Sequence, residues 1–335
     1  MKLDDEHFIF FGKNHHKVLQ NLWHSKFQKE SFAESHNDRK LGLIIEGGGM
    51  RGVISTAMLV ALHELQFNSI FDAVYGTSAG ALGGAYFLSG QAPYGISVFY
   101  EEFNTRHGIN YHRVPPYVNV DYLMEIVREK KVLNVDLVKK APSELFINAT
   151  DTLTGKPRYF SNRERINLLD AIHASCALPI LYDKPVAING GLYLDGGIVG
   201  SLPVEQAIKD GCSDILILLT NRTERKYRSV LPLWYEQIRL KKYSEGFRRA
   251  YFSRDVFFKR ALNLMRGDDE RARFVNIAAI APRNHGLNLY TCDAHKLKKA
   301  YRDSYQYMRQ LLLHFKPSEQ NSESEDTPLT HALTI

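Results

Sequence analysis

The sequence predicts an α/β fold: a three-layer sandwich with a mostly parallel central sheet and helices on both faces. Two observations predict it. The segments Leu41–Glu46, Leu145–Thr150, Ile215–Thr220 and Phe274–Ile280 are apolar along most of their length, as strands covered on both faces must be. They alternate with stretches of helical spacing, such as Met58, Leu59, Leu62 and Leu65 within Ile54–Leu65. At 335 residues, 44% hydrophobic and 24% charged, the chain has ordinary globular composition and the length for a sizeable core.

The elements follow in order. Residues 1–40 are polar and dotted with histidine, and read as a loosely packed extension. His15, His16 and His24 have no acid or cysteine at a supporting spacing, so no metal site is expected. From Lys40 the α/β alternation begins. Ile70–Tyr75 reads as a strand and Ala81–Leu88 as a closely packed helix. Residues 91–143 read as helix and loop, broken at Pro115-Pro116. After the Leu145–Thr150 strand, Thr154-Gly155-Lys156-Pro157 reads as a turn, and Ile166–Cys176 as a helix. The expected organisation is a main domain over 41–282, a helical segment over 283–315 and a disordered acidic tail over 316–335.

Cys176, Cys212 and Cys292 lie far apart with no C-x-x-C pair, which argues against a disulfide framework and against cysteine-bound zinc. The N-terminus lacks the cationic start and apolar run of a signal peptide, so a cytoplasmic protein with reduced thiols is expected. No window approaches the length of an apolar membrane span.

Chemistry concentrates in three motifs. Gly76-Thr77-Ser78-Ala79-Gly80 joins the Ile70–Tyr75 strand to the following helix, the setting of a nucleophile elbow. Gly76 and Gly80 flank the serine where a Cβ would meet the neighbouring strand or helix. A serine needs a proton acceptor and a site for the oxyanion it creates. For the second, Gly47-Gly48-Gly49-Met50-Arg51-Gly52 follows the first strand and can turn several N–H groups into one concavity. Gly47, Gly49 and Gly52 also satisfy the dinucleotide fingerprint G-x-G-x-x-G. That reading requires an acid at the end of a second strand about 20 residues on. Glu64 falls inside a helix and Asp72 inside the run feeding the elbow, so no nucleotide cofactor is expected. The proton acceptor is Asp195, which ends an apolar strand and precedes Gly196 and Gly197; a plain Asp-Gly turn would look the same in isolation.

In this order, Gly47–Gly52, Gly76–Gly80 and Asp195–Gly197 resemble the motifs of the patatin-like phospholipases: G-G-G-x-R-G, G-x-S-x-G and D-G-[GA]. Asn148–Gly155, Ala174–Pro179 and Leu202–Ala207 look like the same family, and the resemblance runs from about Leu41 to Pro282. It implies a serine–aspartate dyad, with Ser78 as nucleophile and Asp195 as general base. It places the oxyanion hole at the N–H groups of Gly47, Gly48 and Gly49, with Arg51 bracing that loop or meeting a phosphate, and with Gly52, Gly76, Gly80, Gly196 and Gly197 supporting the turns. The implied activity is hydrolysis of lipid acyl esters, of the phospholipase A or lysophospholipase type, without a metal or organic cofactor. A carboxylate with a pKa of about 4 is a weak base for a hydroxyl, so such a dyad requires a desolvated aspartate or concerted proton transfer.

Three alternatives remain open in the sequence. An α/β-hydrolase triad would use His285 or His295, both downstream of Asp195. The fold could serve as a non-catalytic lipid-binding scaffold, or the acyl group could pass to a lipid alcohol.

The formal net charge is +6, and the basic excess is local. Residues 222–266 hold 13 Lys or Arg against 4 Asp or Glu, interleaved with Tyr227, Trp234, Tyr235, Tyr243, Phe247, Tyr251, Phe252, Phe257 and Phe258. Cations with aromatic anchors suit peripheral contact with an anionic membrane, while a helical surface with core-facing aromatics would give the same pattern. No nucleic-acid recognition module accompanies the charges, and no protein partner is legible.

Overall fold

The structure, a computed structural model, describes residues 6–30, 39–110, 117–224 and 231–317. The Pro115-Pro116 break, Tyr227 and the acidic tail from 318 onward lie outside the described residues.

Among the described residues, nine strands form one sheet: β1 (Phe8–Phe11), β2 (Leu41–Ile45), β3 (Ala73–Thr77), β4 (Glu144–Asp151), β5 (Pro157–Ser161), β6 (Val186–Ile188), β7 (Gly191–Asp195), β8 (Asp214–Leu218) and β9 (Asn276–Pro282). The centre, β9-β8-β2-β3-β4, is parallel throughout, as the all-apolar strands predict. Both flanks are antiparallel: β1 joins β9 at one side, and β5, β7 and β6 join around β4 at the other.

The sheet separates two cores. Leu43 and Ile45 of β2 face the helices α1 (His15–Glu30), α2 (Gly52–Glu64) and α3 (Ala79–Leu88), together with the helix Ala294–His314. Ile44, between them, faces the helices Val204–Lys209 and Arg254–Arg266 on the other side. This is the period of two turned into a three-layer sandwich. All ten residues of α3 are buried. Gly83 allows the close approach of α2, since a Cβ there would stand 2.4 Å from the Thr56 methyl.

The N-terminal segment corrects the expectation of a loosely packed extension. β1 extends the sheet, and α1 buries Val18, Leu19, Leu22 and Trp23, whose indole N–H donates to the Leu312 carbonyl at 2.8 Å. The i, i+3, i+4 stripe was present in the sequence, but the polar and histidine residues around it masked its period.

Candidate active site

Strand β4 acts as the ruler for the site. On its edge, Thr77 of β3 pairs with Asn148, and Asp195 of β7 pairs with the next residue, Ala149. β5 occupies the opposite edge of Ala149 and Thr150, so β7 continues the line of β3. The parallel strand therefore ends where the antiparallel one ends, and Ser78 and Asp195 meet at the junction.

Ser78 has φ 56° and ψ −126°, a left-handed conformation that costs a residue with a Cβ on the order of 1–3 kcal/mol. Tight packing holds it there. A Cβ on Gly80 would stand 2.2 Å from the Ile45 carbonyl oxygen, so the turn can press against β2 only with glycine at that place. The Ser78 N–H donates to the Ser175 hydroxyl at 2.8 Å, which donates in turn to the Asn148 carbonyl at 2.6 Å. The Asn148 side-chain amide donates to the carbonyls of Gly200 at 2.6 Å and Gly196 at 3.2 Å, and to the Thr77 hydroxyl at 3.3 Å. One fully buried asparagine thus ties the elbow to the Asp195 turn.

Asp195 is 3% exposed. Its Oδ1 accepts the Gly197 N–H at 2.6 Å, while Oδ2 is buried and accepts no hydrogen bond. Burial pushes its pKa up to about 6, against the pull of the Gly197 N–H and the Ser78 hydroxyl toward the charged form. The hydroxyl is near enough to favour the carboxylate without forming a hydrogen bond to Oδ2. This is the desolvated aspartate that a serine–aspartate dyad requires. The neighbouring Cys176 thiol is pushed well above its usual range, first by burial and then by the Asp195 charge, which keeps it protonated and inert.

The glycine loop lies against the serine. A Cβ on Gly47 would stand 2.7 Å from the Ser78 Cβ. Gly48 has φ 153° and Gly49 φ 56°, and the Thr220 hydroxyl holds the Gly47 carbonyl at 2.5 Å while the Thr220 N–H binds the buried Glu46 carboxylate at 2.8 Å. Among the described residues, the N–H groups of Gly48, Gly49 and Ala79 have no hydrogen-bond partner. Gly48 and Gly49 line the larger cavity with Ser78, and Ala79 follows Ser78 and lines the smaller one.

Two cavities open from Ser78. The larger, about 420 Å³, is lined by Gly47, Gly48, Gly49, Arg51, Asp195 and Gly197, and further out by Glu236, Tyr251, Arg254 and Tyr290. The smaller, about 40 Å³, also touches Gly49 and Ser78 and runs between Leu82, Phe99, Phe103, Val120 and Leu123, with an almost wholly apolar wall.

No histidine lines either cavity among the described residues. His285 sits beside Arg51, with its pKa pushed down to about 4 by burial and by that charge, and its Nδ1 accepts the Leu287 N–H. His295 is exposed in the first turn of the last helix. Neither histidine that the triad reading requires lines a cavity at Ser78. The nucleotide alternative fares no better: the Asp72 carboxylate binds the Leu41 N–H at the opposite end of the parallel strands, and Glu64 accepts the Tyr305 hydroxyl. No group of three or more metal-ligating side chains occurs among the described residues, nor any helix long and apolar enough to cross a membrane.

Asn148 and Ser175 were not singled out by sequence reasoning, although both stand in segments that look like the family. Their types carry no chemistry by themselves. Only the hydrogen bonds show their role.

Residues 43–208 match the family model described as Patatin-like phospholipase. The chain is 29% identical over 205 residues to the uncharacterized protein YjjU of Escherichia coli, covering 59% of this chain and 56% of that one. It is 26% identical over 191 residues to an uncharacterized NTE family protein of Mycobacterium tuberculosis, covering 55% and 31% respectively. The matched stretch thus spans about half of the first relative and a third of the second. Among solved structures, VipD from Legionella pneumophila aligns with TM-score 0.47 at 14% identity, over 83% of this chain and 67% of that one. A chain of the SpcU–ExoU complex of Pseudomonas aeruginosa aligns with TM-score 0.30 at 14% identity, over 81% and 54%. Over residues 43–208, this chain belongs to the patatin-like phospholipase family.

Proposed function

We propose that the chain hydrolyses acyl esters of glycerophospholipids or lysophospholipids, with Ser78 as nucleophile and Asp195 as general base. The observation that carries this reading is the buried Asp195 carboxylate, with a free Oδ2 and a pKa raised to about 6, at the strained Ser78 elbow. The apolar side cavity supports a lipid: its wall suits the leading carbons of an acyl chain while the ester carbonyl lies at Ser78 and the polar remainder fills the larger cavity.

In the first half-reaction the Ser78 Oγ attacks the ester carbonyl carbon as its proton passes to Asp195 Oδ2. The carbonyl oxygen becomes an oxyanion held by the Gly48, Gly49 and Ala79 N–H groups, at the positive end of α3. Collapse breaks the ester C–O bond, and the departing alcohol takes the proton from Asp195. In the second half-reaction Asp195 accepts a proton from water as that water attacks the acyl-serine. The fatty acid leaves, and Ser78 recovers its proton. Arg51 and Arg254, both on the larger cavity, supply positive charge where a lipid phosphate would lie.

An active-site fluorophosphonate tests the nucleophile. Wild type should be labelled once per chain and Ser78→Ala not at all; an unlabelled wild type, or labelling that survives in Ser78→Ala, overturns the reading.

A further inference from the structure

The helix Leu233–Leu240 is amphipathic in the reverse of the usual sense. Its inner face buries Glu236 and Leu240. Its outer face carries Leu233, Trp234, Gln237 and Ile238, spaced i, i+1, i+4 and i+5, followed by exposed Lys241. Leu233 is 52% exposed, Trp234 64% and Ile238 53%, although a surface helix normally turns such residues inward. Four other aromatics of this basic segment, Tyr243, Phe247, Tyr251 and Phe258, are buried in the core, while Phe252 is 47% exposed. The core-facing explanation thus accounts for those four and leaves the crest unexplained.

Charge defines what covers the crest. Over residues 231–266 the chain holds nine Lys or Arg (239, 241, 242, 248, 249, 254, 259 and 260, and 266) against three acids, Glu236, Glu245 and Asp255. Glu236 is turned inward and Arg249 pairs with Glu245, so the exposed cations exceed the exposed acids. A short apolar ridge with a bulky indole in a cationic field matches the boundary of an anionic bilayer, where the ridge enters the acyl region and the cations meet phosphate.

The helix is also fixed to the site. Arg239 and Lys242 bind the Asp183 carboxylate at 2.5 and 2.9 Å, and the Tyr243 hydroxyl donates to it at 2.9 Å. Asp183 follows the segment 178–181, which walls the larger cavity, and Glu236 on the same helix lines that cavity directly.

We propose that Leu233, Trp234 and Ile238 form a docking crest that seats this chain on anionic membrane and holds the mouth of the Ser78 cavity against the lipid surface. The crest itself stands whether or not Ser78 is catalytic; the orientation of the mouth toward substrate rests on the function proposed above.

The test uses the full chain with vesicles of phosphatidylcholine alone or with about one third phosphatidylglycerol. Wild type should sediment with the anionic vesicles, release as salt is raised, and show a blue shift of tryptophan emission on binding. Trp23 is buried, so the shift reports Trp234. The variant Leu233→Ser/Trp234→Ala/Ile238→Ser should bind at least about tenfold more weakly, yet hydrolyse a soluble short-chain ester at the wild-type rate. None of the three lines the cavity. Vesicle binding that survives the triple change overturns the proposal, as does a wild type that ignores anionic lipid. So does a concentration-dependent dimer of wild type, lost in the variant, because the crest would then serve a second copy. A wild type that binds vesicles but leaves the soluble ester intact supports the crest and sinks the hydrolase reading alone.

Discussion

The Ser175 hydroxyl accepts the backbone N–H of Ser78 at 2.8 Å, so the strained elbow is held by a side chain on another element. Its own proton goes to the Asn148 carbonyl, which leaves both hydrogen bonds fully buried. Ser175→Ala would strand the Ser78 N–H and the Asn148 carbonyl at a cost of about 1–3 kcal/mol. Stability should fall by that amount, and kcat should fall at least about tenfold with KM little changed, because the nucleophile loses its orientation and the cavity keeps its shape. Urea unfolding and steady-state kinetics check the two halves.

Asp195 opposes stability in its ionised form. Its folded pKa of about 6 lies above the ordinary value of 3.8, so the folded state binds the proton more tightly than the unfolded chain. The stabilisation is fully present below the ordinary value and is lost as the pH rises through about 6. Asp195→Asn removes that penalty while its side-chain oxygen still accepts the Gly197 N–H. At neutral pH the variant should be more stable by on the order of 2–3 kcal/mol and catalytically dead. Thermal unfolding at pH 4.5 and pH 7.5 should show a gain of about 3 kcal/mol at the higher value and only about 1 kcal/mol at the lower.

The same group sets the pH profile. A base must be ionised to accept a proton, so kcat/KM should climb through about pH 6 and level off above it. His285 is held neutral down to about pH 4 and lines neither cavity, so His285→Ala should leave the profile in place. A climb displaced by that change would point to histidine instead.

The side cavity should govern acyl chain length. Leu82, on α3, lines this cavity together with Phe103 and Leu123. Leu82→Trp should fill the cavity and shift the preference toward short acyl chains by at least about tenfold in kcat/KM, with fluorophosphonate labelling retained. A rate series over ester chain length reads the shift directly.

Much of this was legible before the fold was known, for identifiable reasons. The parallel core follows from runs such as Leu43-Ile44-Ile45, which are buried on both sides and therefore apolar at every position. Gly47, Gly48, Gly49 and Ser78 were legible because close backbone approach and a strained turn restrict residue type, and that restriction shows in the letters. The strand ending at Asp195 was legible, but the antiparallel pairing of that flank was not. Residues of β6 and β7 are partly exposed, and their assignment depends on pairing with β4 across a long stretch of sequence. The same holds for Asn148 and Ser175, whose roles arise from tertiary hydrogen bonds. The basic segment 222–266 was divided only by burial: Tyr243 and Trp234 look alike in sequence, yet one is 8% exposed and the other 64%.

The central claim, that Ser78 works with Asp195 and without histidine, is tested most directly by fatty-acid release from lysophospholipid. Wild type and the double variant His285→Ala/His295→Ala should be compared with Ser78→Ala and Asp195→Asn, all shown to be folded. Release should persist in the histidine variant and fall by at least about a thousandfold in each dyad variant. Release that survives Asp195→Asn, or that vanishes with the two histidines, would contradict the account.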